Sequence, residues 1–114
     1  VVALAFGPGG LLAVAQMGGR ITLWDHAGRR HRGTLIGHSA MVYALAFTPD
    51  GTRLASASRD LSVRLWDTAS GQEVLPLHGF ASEVVGVAFS HDGRRLVTTE
   101  QAGFVKLWEI ERDE

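Results

Sequence analysis

The stretch Gly37–Asp67, GHSAMVYALAFTPDGTRLASASRDLSVRLWD, decides how the rest of the chain is read. An alternating apolar segment runs from Val42 to Phe47, and a turn signal follows at Thr48-Pro49-Asp50-Gly51. A second short run spans Leu54 to Ser58, a second turn falls at Arg59-Asp60, and the unit closes on Leu65-Trp66-Asp67. Short runs of this kind, bounded by clusters of Pro, Gly and Asp, predict strands joined by hairpins.

Two echoes of the unit flank it. The tryptophans Trp24, Trp66 and Trp108 are spaced by 42 and 42 residues, and Phe6, Phe47 and Phe89 by 41 and 42. Each phenylalanine leads into a turn, at Gly7-Pro8-Gly9-Gly10, Thr48-Pro49-Asp50-Gly51 and Ser90-His91-Asp92-Gly93, and each tryptophan sits between Leu and an acid. A period of about 40 to 45 residues, with Gly-His early and Trp-Asp late, is the mark of four-stranded propeller blades. On these residues the chain resembles the WD-repeat (WD40) family over nearly its whole length. The resemblance implies an all-β partial β-propeller of three consecutive WD40 blades, built of four-stranded antiparallel sheets, with the last blade incomplete. The repeats divide as 1–37, which lacks the Gly-His start, 38–79, which carries the complete motif, and 80–114, which lacks an outer strand. Together they make a fragment of one propeller domain.

Taken in order, the first repeat predicts strands over Val1 to Phe6, Leu11 to Gln16, Arg20 to Asp25 and His31 to Ile36. The second predicts Val42 to Thr48, Arg53 to Ser58, Ser62 to Asp67 and Gln72 to Leu77. Pro76 in the last of these requires an edge, because proline cannot donate to a ladder. The third repeat predicts Val84 to Ser90, Arg95 to Thr99 and Phe104 to Ile110, and then no fourth strand. A propeller blade buries both faces against neighbours and a ring takes about four to eight blades, so three would leave apolar faces bare. The expectation is a piece of a longer chain whose remaining blades close the ring, with a homo-oligomer closing it as the second option.

The family resemblance also implies a hydrogen-bonded tetrad in the middle blade, made of His38, Ser56 (or its neighbour Ser58), Asp60 and Trp66. Its logic is physical, since a buried indole N–H needs an acceptor and an imidazole between hydroxyl and carboxylate is held in one tautomer. Ser, His and Asp together suggest a hydrolytic triad, but no nucleophile elbow or oxyanion-hole motif surrounds either serine, so no catalytic residue is assigned. The other repeats depart from the pattern. The third has Phe80 and Ala102 where His38 and Asp60 fall but keeps Thr98 and Trp108; the first has Val14 and Gly18 at the Ser and Asp positions. Both flanking blades are therefore expected to rely on packing.

Composition narrows the function classes. With 46% hydrophobic and 20% charged residues in 114, the chain is ordinary globular material of about one domain. A net charge of -1 provides no global attraction to nucleic acid or an anionic membrane, and no apolar run approaches a membrane span. No cysteine is present, so there is neither a disulfide framework nor thiolate chemistry. No targeting segment is visible, and the expected location is cytoplasmic.

Other motifs are weak. Gly7-Pro8-Gly9-Gly10 lacks the spacing of a phosphate loop, and His26, His31, His38, His78 and His91 show no metal-ligand spacing, so neither cofactor nor metal is expected. Arg29-Arg30-His31-Arg32 is a basic cluster without an interleaved aromatic platform, read as an edge-guarding turn and not a nucleic-acid site. The resemblance implies a non-catalytic scaffold for protein or peptide partners, which meet one rim near the start of the inner strand and in the second hairpin. Those positions are Met41, Tyr43 and Arg59, then Glu83, Val85 and Gln101, with Val2 and Met17 in the first repeat. Tyr, Arg and Met are favoured at interaction hot spots. The alternative reading is a sensory or autoinhibitory propeller of a multidomain signalling enzyme, an ATPase or kinase, whose catalytic domain lies elsewhere.

Overall fold

The computed structural model describes residues 3–25 and 30–109. Val1, Val2, His26, Arg29 and Ile110, named above, lie outside the described residues. Among the described residues eleven strands form three antiparallel sheets. The first sheet is β1 (Ala3–Phe6), β2 (Leu12–Ala15), β3 (Ile21–Asp25) and β4 (Arg30–Leu35). The second is β5 (Val42–Phe47), β6 (Arg53–Ser58), β7 (Val63–Asp67) and β8 (Glu73–Leu77). The third is β9 (Val84–Phe89), β10 (Arg95–Glu100) and β11 (Val105–Glu109), three-stranded among the described residues. Strand order follows chain order in every sheet, so each is a meander of hairpins.

The turns form as their residues dictate. Asp50 Oδ1 accepts from the Thr48 hydroxyl and from the Thr52 amide and hydroxyl, and the Arg53 amide donates back to Thr48 Oγ1. Ser90 and Asp92 repeat this pairing one period later, with the Arg95 amide on Ser90. Short oxygen-bearing side chains closing on their own backbone are what make such sequences turns and not strand. Gly51 sits at φ 75°, and a Cβ there would stand 2.8 Å from the Pro8 ring, so this turn seats against the first sheet only as glycine.

The sheets stack face to face. Ala13, Ala15, Ile21, Leu23 and Leu35 of the first pack against Val42, Leu54 and Trp66 of the second. Ala55, Ala57, Val63, Leu65 and Leu77 on the second sheet's other face pack against Phe80, Val84 and Leu96, the first of these on the strand approach to β9. The middle sheet is thus covered on both sides, which is why β6, RLASAS, is buried along nearly its whole length. Small alanines and serines there allow close approach on both faces. β1, β5 and β9 run side by side along the stack. The outer strands β4 and β8 pair on one side only, and Pro76 occupies such an edge opposite Arg64, as its missing N–H requires.

Two faces stay open. On the first sheet Leu4 and Phe6 are exposed, Phe6 to 70%; on the third Val97, Val105 and Leu107 are exposed, Leu107 to 61%. Their counterparts in the middle sheet are covered: Leu45 and Phe47 lie against the first sheet, Val63 and Leu65 against the third.

Candidate functional site

Every second hairpin turn and every connection between sheets gathers at one rim of the stack. In the first sheet the β2–β3 turn passes through Gly19, φ 88°, where a Cβ would stand 2.5 Å from the His38 carbonyl oxygen. That close approach requires glycine and brings the first sheet's turn onto the Gly37–Met41 connection. The connection is held in turn by the second sheet, because the Ser39 amide donates to Asp60 Oδ2 and the Arg59 amide to the Met41 carbonyl. On the far side the Gln101 amide donates to the Glu83 carbonyl and the Ala102 amide to Ser82 Oγ.

Beneath this rim lie the four residues of the expected tetrad. His38 Nδ1 is 2.9 Å from Asp60 Oδ2, His38 Nε2 is 2.6 Å from Ser56 Oγ, and the Trp66 indole donates to Ser56 Oγ at 2.8 Å. Of the two serines left open by the sequence, Ser56 occupies the chain; Ser58 Oγ donates to the Met41 carbonyl and accepts from the Asp60 amide. The polarity follows from the partners. A carboxylate only accepts, so Nδ1 carries the proton and Nε2 accepts from Ser56, whose oxygen receives the indole N–H. Burial holds the His38 imidazole below its ordinary pKa, against the opposing pull of Asp60, so the ring is neutral. Burial alone would raise the Asp60 carboxyl, but hydrogen bonds from Ser62, His38 and the Ser39 amide together hold it below the usual range.

This constellation has the connectivity of a hydrolytic triad without its access. Ser56 is completely buried and its oxygen is committed to both the imidazole and the indole, so no substrate carbonyl reaches it. What the arrangement does is tie a rim connection, two strands and a hairpin into one unit.

The flanking sheets correct the expectation that they rely on packing alone. Trp108 donates to Thr98 Oγ1 at 3.1 Å, and Trp24 donates to Thr22 Oγ1 at 3.2 Å, a hydroxyl on its own strand. Phe80 fills the histidine position and packs on Trp108 with ring centroids 5.6 Å apart. The carboxylate function in the third sheet moves to Glu100, a buried residue that sequence reasoning missed. Its Oε1 accepts from the Ala81 and Ser82 amides at 2.8 and 3.0 Å, where Asp60 accepts from Ser39. The available signal was an acid one residue past the predicted strand Arg95 to Thr99, in the inward-facing parity of Leu96 and Thr98.

Three of the eight partner-facing candidates meet. The Tyr43 hydroxyl donates to Glu83 Oε1 at 2.9 Å, and Arg59 Nε lies 3.6 Å from Glu83 Oε2, bridging the second and third sheets. The hydrogen bond to Glu83 pushes the Tyr43 phenol up. Met41 and Gln101 touch this cluster through their backbone bonds to Arg59 and Glu83. Val85 is not in it and stands exposed on β9. Tyr43 and Val85 share one local feature: each is the unpaired residue where its strand bulges, between Val42 and Ala44 and between Val84 and Gly86. A bulge re-aims the side chain it carries, and the twofold alternation of the sequence does not announce it. Met17, in the first sheet's turn, is 77% exposed.

On the opposite rim a cleft of about 600 Å³ is lined by Leu11, Arg32, Asp50, Arg53 and Asp67 among others. Its carboxylates are engaged, Asp50 by the Thr48 and Thr52 groups and Asp67 by the Ala69 and Ser70 amides, and no nucleophile and base converge there. Among the described residues no group of three His, Cys, Asp or Glu is placed to hold a metal ion.

Comparison with known protein families agrees with this architecture. No curated protein matched the chain. The family model described as WD domain, G-beta repeat matches residues 29–67 and 71–109. These spans run from β4 to β7 and from β8 to β11, so each repeat gives its first strand to the outer edge of one sheet and its other three to the next. The matched spans, the three stacked antiparallel sheets and the recurring indoles lead to one conclusion: the chain belongs to the WD40 repeat family.

Proposed function

We propose that this chain is a non-catalytic scaffold that binds a protein or peptide partner across the rim carrying Met41, Tyr43, Arg59, Glu83, Val85 and Gln101. WD40 repeats are in general protein-interaction scaffolds. The observation that supports a site here is the Tyr43–Glu83–Arg59 cluster, in which groups from two sheets are pre-positioned at the surface. Pre-positioned aromatic and guanidinium groups lose little further freedom on binding. In a pull-down from the source cell, changing Tyr43 and Arg59 together to Ala is expected to lose the partner while leaving Tm nearly unchanged. Retained capture by that double variant contradicts the reading.

The partner list includes further blades of the same kind. The open face of the third sheet, Val97 and Leu107, matches the surface that Ala55 and Leu65 already use against a neighbouring blade, and the open face of the first matches Leu45 and Phe47. The two open faces are therefore complementary in kind, and each is suited to a blade of this family. Size-exclusion chromatography with light scattering tests this: the 114-residue segment alone is expected to aggregate beside a compact parent, while a stable monomer with both faces bare contradicts it.

A further inference from the structure

Leu61 is the one non-glycine residue with positive φ among the described residues, at 68°. It stands at the β6–β7 turn one period from Gly19 and Gly103, whose φ values are 88° and 97°. The sister turns thus use glycine where this one places a branched apolar side chain in the left-handed region, a sterically disfavoured choice. Burial does not compensate for it, because Leu61 is 43% exposed. A bulky residue held in a disfavoured conformation at the surface points to a role outside the fold.

Its surroundings say what it faces. The rim's carboxylates are occupied: Asp60 by His38, Ser39 and Ser62, Glu83 by Tyr43 and Arg59, Glu100 by Ala81 and Ser82. The charged groups left outward are cationic. Arg59, two residues from Leu61, meets Glu83 only through Nε at 3.6 Å and keeps a side chain 60% exposed, and Arg20, in the first sheet's turn, is exposed and makes no ion pair among the described residues. Met17 stands exposed in that same turn. The rim therefore carries exposed apolar side chains and exposed guanidinium groups on its hairpin turns.

We infer that Leu61 is the apolar anchor for a partner segment in which leucine-like residues are flanked by carboxylates, which meet Arg59 and Arg20. The inference rests on the reading of this rim as the partner face. It is complementary in charge and excludes a basic segment, which would meet two exposed arginines.

The test is fluorescence anisotropy on the parent protein that carries these blades with two labelled peptides, one of leucines set among glutamates and aspartates, the other with lysines in place of the acids. The acidic peptide is expected to bind, and the lysine peptide at least about tenfold more weakly. Leu61→Gly is expected to weaken the acidic peptide about tenfold while Tm holds or rises, since glycine adopts φ 68° freely. A Leu61→Gly variant that binds equally well, or whose Tm falls, overturns the anchor. So does absence of binding to the wild type, or preference for the lysine peptide. If Arg59→Ala and Tyr43→Ala weaken binding and Leu61→Gly does not, the anchor fails and the partner rim stands. If the peptide binds and none of the three changes matters, the rim reading fails as well.

Discussion

The second and third blades solve one mechanical problem in two ways. Each must hold the connection entering its first strand against its own second hairpin. In the second blade Asp60 in the hairpin takes the Ser39 amide and is itself braced by His38, Ser62 and, through His38, by Ser56 and Trp66. In the third, Glu100 reaches from the end of β10 with a longer side chain and takes two amides directly, while Phe80 and Trp108 fill the space of the imidazole chain with apolar contact. The difference teaches that the amide acceptor is the part that recurs, whereas the imidazole relay is optional.

Substitutions can break that comparison at each step. The largest effect is expected from Asp60→Ala, which strips the partner from His38 Nδ1, the Ser39 and Ser62 amides and the Ser62 hydroxyl; about 3 kcal/mol is expected in urea denaturation. Glu100→Ala leaves the Ala81 and Ser82 amides without an acceptor and should cost about 2 kcal/mol, with Glu100→Gln, which keeps a carbonyl oxygen, costing less. Equal costs for the alanine and glutamine variants would count against the acceptor role.

His38→Phe, which makes the second blade resemble the third, should cost about 1 to 2 kcal/mol because Asp60 and Ser56 each lose a partner. Its reciprocal, Phe80→His, should return no gain, since it gives up the Phe80 packing on Trp108 while Glu100 already holds the Ala81 and Ser82 amides. A stabilised Phe80→His would mean that the relay itself, and not the acceptor, does the holding.

Acid sharpens the same contrast. The native His38 imidazole has its pKa depressed below 6.5, so in the window below that value the unfolded chain binds a proton that the folded chain refuses. Stability is therefore full above that window and falls as pH drops through it. Asp60, also depressed, adds a loss of the same sign further down, as pH falls through its folded value. Urea midpoints taken between neutral and mildly acid pH should slope for the wild type and flatten for His38→Phe; parallel slopes would remove His38 from the account. The smallest effect is expected from Tyr43→Phe, which loses a half-buried bond to Glu83 and should leave Tm nearly unmoved while weakening a rim partner.

How much of this was legible depends on what kind of regularity carried it. The blades were, because Trp24, Trp66 and Trp108 and the turns before them recur at a fixed period, and strand ends differ from expectation by only a residue or so. The middle network was legible through the family resemblance, which maps onto His38, Asp60 and Trp66 and left Ser56 and Ser58 open. Glu100 was not, since it occupies the register of Ser58 and not of Asp60, and position-by-position comparison looks only at Ala102. Thr22 was missed for a similar reason: it reaches Trp24 from the same strand, where the middle blade uses a neighbouring one. The bulges at Tyr43 and Val85 and the left-handed Leu61 are backbone events that a pattern of apolar and polar letters does not encode.

The most direct test of the shared-acceptor account is native-state hydrogen exchange at the Ser39, Ala81 and Ser82 amides, referenced to the Leu65 and Leu107 amides of the third strands. Asp60→Ala should speed exchange at Ser39 and leave Ala81 and Ser82 slow, and Glu100→Ala should do the reverse. Unchanged protection in both variants, or simultaneous opening of both connections in either, would contradict it.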